Sequence, residues 1–176
     1  MTKKFQKVLA FMLTVIMAMT INLPSGTLGI FNLVKTVKAA EITPTQPEVG
    51  DGSKSNPYQI ANYSQLVWFQ KQVADGKYSA NAMLTEDIIA NENVLGADGK
   101  LVNNTNNFVI WTPIGSKSIK YQGTFNGNGK TISGLYFNGT TADYVGLFGY
   151  VGIGGNVSDV GVVASYFNGK YYVGGV

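Results

Sequence analysis

The sequence predicts an all-β solenoid, a parallel β-helix with an N-terminal capping helix, behind a signal peptide. Three observations predict it. From Ala82 onward the chain is a series of short β-rich pieces cut by Gly, Asn and Asp. "LYFNG" at Leu135–Gly139 returns as "SYFNG" at Ser165–Gly169, and "YVG" at Tyr144–Gly146 returns at Tyr172–Gly174. Between the two matched blocks "TTAD" shortens to "KY", so the length change falls in a turn while the strands stay fixed, as in stacked repeats. A propeller blade would need about 40 residues and four strands per repeat, and an immunoglobulin-like sandwich would lack this echo.

Residues 1–39 read as the signal peptide. Lys3, Lys4 and Lys7 precede the apolar run Val8–Leu23, and "VKAA" places the small residues Val37 and Ala39 before a cut at Ala39–Ala40. The 16-residue run, ended by Pro24, falls short of the roughly 20 residues that span a bilayer. Retention as an anchor stays the alternative. Five of the 13 lysines and none of the ten acids lie in this leader, so the mature part has eight lysines against ten carboxylates, a net −2. No basic face remains to recruit nucleic acid or acidic lipid, and arginine is absent, so nucleic acid is excluded as a partner and membrane contact is confined to export. Cysteine is also absent, which removes disulfides and zinc–thiolate sites. The lysine-rich, arginine-free composition suits an exported protein of a Gram-positive bacterium.

Residues 40–50 hold two prolines and little to bury, and read as a linker. Residues 51–114 then supply the cap and first coils. Turn residues fill Gly50–Pro57, a short strand follows at Tyr58–Ala61, and Leu66, Phe69 and Val73 recur at helical spacing over Ser64–Ala74. Asn62 or Ser64 can accept the first orphan amides, and Gly76 offers a left-handed stop. A single amphipathic helix cannot fold alone, so it must cover an apolar end of the strands that follow. Residues 115–176 are the repeats; they carry 15 glycines in 62 residues, about a quarter against a usual figure near 7%. Each glycine in an ordered segment costs about 0.5–1 kcal/mol relative to alanine, so these are expected where a side chain would clash.

"YVGLFGYV" followed by "YYVGGV" resembles the GLUG repeat of bacterial surface proteins, named for a Gly-Leu-x-Gly core, here Gly146, Leu147, Phe148 and Gly149. "NPYQIANYSQLVWFQ", "WTPIG" and "YQGTFNGNGKTISGL" resemble the lead-in to such repeats in clostridial and related exported proteins. The resemblance covers about Gly50 to Val176. It implies a right-handed β-helix on secreted or wall-attached proteins, some adhesin-like and some carrying the repeats beside the peptidase of immunoglobulin A proteases, where they are not catalytic. The second copy reads "YYVGGV", with Gly174 and Gly175, and stops before its own core is complete, so the chain reads as the N-terminal piece of something longer.

Motifs for chemistry are few. Gly129-Lys130-Thr131 mimics the end of a phosphate-binding loop, but Thr124 stands where its first glycine belongs. Glu86 and Asp87 are adjacent in an expected strand and point to opposite sides, so they cannot converge as an acid–base pair. Asp75, Asp98, Asp143 and Asp159 adjoin turn signals. Histidine is absent, removing the usual base and metal ligand. Asp51, Ser53 and Ser55 resemble a calcium loop with too little charge, and a structural turn is the preferred reading. Four Asn-x-Ser/Thr triplets, at Asn62, Asn103, Asn138 and Asn156, read as turn asparagines. Aromatic residues, Trp68, Trp111, Tyr144 and Tyr172 foremost, could stack against sugar rings or pack as ladders.

The expectation is a non-catalytic scaffold or adhesin-like module, secreted or attached to the cell wall, needing no cofactor and no metal. Its expected partner is a host surface glycan or protein, or a cell-wall polymer. Two alternatives stay open: an accessory region of an exported peptidase or polysaccharide-active enzyme whose catalytic domain lies beyond residue 176, and a catalytic β-helix in its own right.

Overall fold

The computed structural model describes residues 42–176, so the signal-peptide reading and the first residues of the linker lie outside the described part. Residues 42–50 form no helix or strand, but the Thr45 amide donates to Ser64 O and Val49 O accepts from Gln59 N, so this stretch runs beside the first elements. Helix α1 spans Tyr63–Ala74, where the apolar spacing places it. Its first turn is fixed by Asn62, whose Oδ1 accepts from Gln65 N at 3.0 Å, while Gln65 Oε1 reaches back to Ala61 N at 2.8 Å. At the far end Gly76 has φ +103°, letting its own amide reach Val73 O and that of Lys77 reach Gln72 O. This paired closure satisfies two end carbonyls that would otherwise stay orphaned.

Eleven short strands accompany the helix: β1 (Tyr58–Ile60), β2 (Ala82–Leu84), β3 (Ile88–Ile89), β4 (Thr124–Asn126), β5 (Thr131–Ser133), β6 (Tyr136–Asn138), β7 (Asp143–Val145), β8 (Asn156–Ser158), β9 (Gly161–Val163), β10 (Tyr166–Asn168) and β11 (Tyr171–Val173). They form a four-stranded sheet in the order β1-β2-β4-β8, a three-stranded sheet β3-β5-β9, and the pairs β6-β10 and β7-β11. Every strand pairing among the described residues is parallel. The two echoes seen in the sequence pair with each other, Tyr136 opposite Tyr166 and Val145 opposite Val173.

The expected right-handed parallel β-helix is corrected by this arrangement: the described residues form separate sheets of two to four strands with one short helix, not a long solenoid. The strand expected through Glu86 and Asp87 fails first. "AMLTEDIIA" yields two short strands separated by Thr85–Asp87, and β strands here are two or three residues long. The physical reason is local. Tyr144, Tyr172, Asn128, Asp159 and Ala164 all take positive φ within or beside strands, which turns the backbone out of the extended path after a few residues. Between β3 and β4 the chain contributes only isolated bridges, one of them the antiparallel Leu95–Leu101.

The core joins helix and sheets through aromatic rings. Leu66, Phe69 and Val73 of α1 are fully buried together with Ile60, Leu84, Ile88, Ile114, Tyr121, Phe125, Ile132, Leu135 and Leu147. Phe69 meets Tyr121 and Phe125 with ring centroids 6.1 and 5.9 Å apart, and Phe148 closes the group at 5.2 Å from Tyr121 and 5.3 Å from Phe125. Such pairs add about 0.5–1.5 kcal/mol each beyond area burial. Tyr121 sends its hydroxyl to Ala80 O at 2.9 Å, and burial pushes its ionisation far above the ordinary range. Two asparagines brace the loops: Asn91 donates to Val109 O and Gly134 O and accepts from Val109 N, while Asn81 donates to Gly52 O and accepts from Thr124 N. Gly134, at φ +70°, is required here because a Cβ would collide with Asn91 O.

Asp87 ties β3 to β5 across 44 residues of sequence, accepting from Thr131 N at 2.7 Å and Thr131 Oγ1 at 3.1 Å. These bonds hold its carboxyl below the ordinary value of 3.8, the Thr131 amide first. A depressed folded-state value stabilises the fold above the unfolded value and is lost as pH falls through the folded one. Thermal melting followed against pH is therefore expected to fall on acidification below 3.8, and more shallowly for Asp87→Asn. Identical acid limbs would remove Asp87 from the account.

Candidate functional site

The Gly-Leu-x-Gly core and the "WTPIG" segment meet in space, and the site grows from that meeting. Ile114 N donates to Leu147 O at 3.0 Å and Gly149 N returns to Ile114 O at 2.9 Å. On the other side Leu147 N donates to Gly175 O at 3.0 Å and Gly174 N to Val145 O at 2.9 Å. Backbones on both flanks leave no room for side chains: a Cβ on Gly149 would sit 2.5 Å from Gly115 O, and one on Gly146 would sit 2.8 Å from Gly174 O. Leu147 and Phe148 between them point into the core. The repeat motif is thus the seam between three chain segments.

Trp111 belongs to this seam. It is 1% exposed, and its indole N–H donates to Gly146 O at 3.1 Å. It offers no face to a ligand. Trp68 lies half-buried on α1, edge-on to Tyr58 at 5.0 Å. The structure does not bring either tryptophan to the two tyrosines.

Tyr144 and Tyr172 do come together. Their rings stack at 4.7 Å with planes 5° apart, and both backbones are left-handed, at φ +61° and +57°. For a bulky residue that conformation costs about 1–2 kcal/mol. The repeat therefore places equivalent residues in the same strained geometry. Tyr172 is 72% exposed and Tyr150 stands 5.6 Å from Tyr144. With Phe148, Val173 and Val176 they line a cleft of about 540 Å³. No side chain that lines it carries a carboxylate or an amine. Lys120 holds its ammonium 5.2 Å from the Tyr150 ring centre. Lys120 was not legible in the sequence, because it stands in a turn with no periodic neighbour. Chemically the cleft can hold a flat, weakly polar face and offers hydroxyls at its rim; it has no acid–base pair.

The other candidates resolve into turns. Asp51 Oδ1 accepts from Ser53 N at 2.8 Å, which lowers its carboxyl, and Asn56 N donates to Ser53 Oγ at 3.1 Å. Gly129 and Lys130 lie between β4 and β5, Thr131 opens β5, and among the described residues no helix follows to present its end to phosphate. Asp75 ends α1, and Asp98 caps a turn through Lys100 N. Among the described residues no group of three or more His, Cys, Asp or Glu could hold a metal ion.

A protein of Evansella cellulosilytica provisionally named a Gly-rich membrane protein is 31% identical over 117 residues, a match that covers 66% of this chain and 12% of that protein. No family model matches the chain. No solved structure matches it either. Among the described residues no helix is long and apolar enough to cross a membrane.

The seam predicts its own mutational pattern. Gly149→Ala is expected to cost about 1–3 kcal/mol through forced overpacking, and Trp111→Phe about 1–3 kcal/mol by leaving a buried carbonyl unpaired. Urea unfolding measures both; wild-type midpoints for both variants would contradict this packing.

Proposed function

We propose that this chain is a non-catalytic module of an exported, surface-attached protein, serving as a scaffold or adhesin-like binding region. One observation carries the reading: repeated segments pair in parallel and in register, and that pairing sets Tyr144 and Tyr172 face to face at a solvent-exposed edge. A frame that spends its glycines on close backbone approach and leaves aromatic rings outside suits presentation of a binding surface. The GLUG-like motifs and the signal-peptide pattern point the same way, toward the cell exterior. The ligand class that fits is a sugar ring, apolar on one face and polar at its edge, from a host glycan or a cell-wall polymer. A second reading is an accessory region of a larger exported enzyme; the Evansella protein is much longer than the stretch that matches this chain.

Two measurements test the proposal. A secreted reporter fused after Val176 should become active outside the cell, and should stay inactive there when residues 1–39 are removed. Glycan arrays and isolated cell-wall polymer should retain the chain at a temperature where wild type and variant are both folded, and Tyr172→Ala should weaken that retention by about 0.5–1.5 kcal/mol, on the order of one aromatic contact. Export failure, or retention indifferent to Tyr172, would overturn the reading.

A further inference from the structure

A second cavity, of about 190 Å³, opens between the "WTPIG" segment with the turn after it and the strands β6 and β7. Pro113, Phe137 and Val145 give it apolar walls, and Ser116, Lys117 and Asp143 give it a polar rim. No residue of β10 or β11 lines it, so it is separate from the exposed Tyr172 ring. Its volume is that of roughly six waters at ~30 Å³ each, room for a molecule of amino-acid size and not for an oligosaccharide.

The walls are fixed by the fold. The turn that carries Lys117 is closed by Ser116 N, which donates to Ile119 O at 2.7 Å, and by Ile119 N, which donates to Ser116 Oγ at 3.1 Å. Gly115 opens that turn at φ +76°, where a Cβ would strike Tyr150 O. Across the cavity, Asp143 and Val145 are held in register with Tyr171 and Val173, and Phe137 with Phe167. The Phe137 ring lies against Gly139, where a Cβ would sit 2.9 Å from it. Both charged residues thus stand on backbone that is set before a ligand arrives, which lowers the entropy that binding must overcome.

Charge decides what fits. Lys117 and Asp143 have opposite signs and come from different segments, and among the described residues neither an ion pair nor a hydrogen bond engages either side chain. A simple anion would be repelled by Asp143 and a simple cation by Lys117. A molecule with both charges meets a partner at each end, while its carbon body rests on Pro113, Phe137 and Val145. We propose that this cavity binds a small zwitterion with an apolar body, a free amino acid of about the size of leucine, its ammonium toward Asp143 and its carboxylate toward Lys117. Both charges are exposed and screened by solvent, so the affinity is weak, on the order of millimolar.

The test titrates the whole chain in neutral buffer with L-leucine, with isocaproate, which is leucine without its amine, and with isoamylamine, which is leucine without its carboxylate. Amide NMR shifts follow binding in wild type, Lys117→Gln and Asp143→Asn. Leucine should shift Thr112–Lys117 and Asp143–Val145, and each one-charge analogue should bind about two- to fivefold more weakly, the worth of one exposed charge pair. Each variant should lose discrimination against one analogue only: Lys117→Gln should bind isoamylamine as well as leucine, and Asp143→Asn should bind isocaproate as well as leucine. Both side chains are exposed, so each variant should keep the wild-type spectrum elsewhere. Leucine that shifts neither segment, analogues that bind wild type as well as leucine does, or a discrimination that both variants leave intact would each overturn the proposal. Shifts confined to Tyr150 and Tyr172 would overturn it too, by placing leucine in the other cleft.

Discussion

Backbone-to-backbone hydrogen bonding between chain segments about one repeat apart is the constraint on which the rest of the structure depends. Val145 opposite Val173 and Tyr136 opposite Tyr166 are its clearest instances, and the amides of Leu147, Gly139 and Gly127 extend it through the connecting turns. Such bonds require the main chains to approach closely. Glycine at 146 and 149 permits that approach, since any side chain there would meet the neighbouring carbonyl. The high glycine content is thus the requirement of the pairing, and its entropic cost is offset by satisfied amides and by the apolar side chains that the pairing layers over one another.

The helix and the aromatic seam complete what the short strands cannot supply. Strands of two or three residues bury little by themselves, so stability concentrates where Phe69, Tyr121, Phe125 and Phe148 interlock. Among the described residues the buried ones all fall between Pro47 and Phe148, and the strands β8 to β11 lie beyond them with half-exposed or exposed side chains. Leu147 and Val145 are buried, and Tyr172 and Val173 face solvent. The proposed binding role rests on the exposed Tyr172 ring.

The parts of this fold legible in the sequence were those with a local signature. Asn62, the Leu66–Phe69–Val73 stripe and Gly76 specify the helix through neighbours a few residues apart. The echo of "YFNG" and "YVG" likewise foretold which strands pair. Strand length and the extent of the sheets were not legible, because they depend on left-handed turns at residues such as Tyr144 and Ala164 that no propensity favours. For Trp111 the sequence left ligand stacking and packing both open, because sequence alone cannot show that its indole reaches Gly146 O, 35 residues away. Asn81 and Asn91 were invisible for the same reason: their partners lie across the fold, up to 43 residues distant.

The central claim is the register of the repeated segments, and the absence of native cysteine makes it directly measurable. Asn138 and Asn168 lie opposite each other on β6 and β10, within the reach of a disulfide. A chain with both replaced by cysteine should close a disulfide on mild oxidation and keep its native melting temperature or raise it, while a pair at Asn138 and Asn156, in different sheets, should stay reduced. Closure of the second pair and not the first would contradict the register, and with it the account of how this chain is held together.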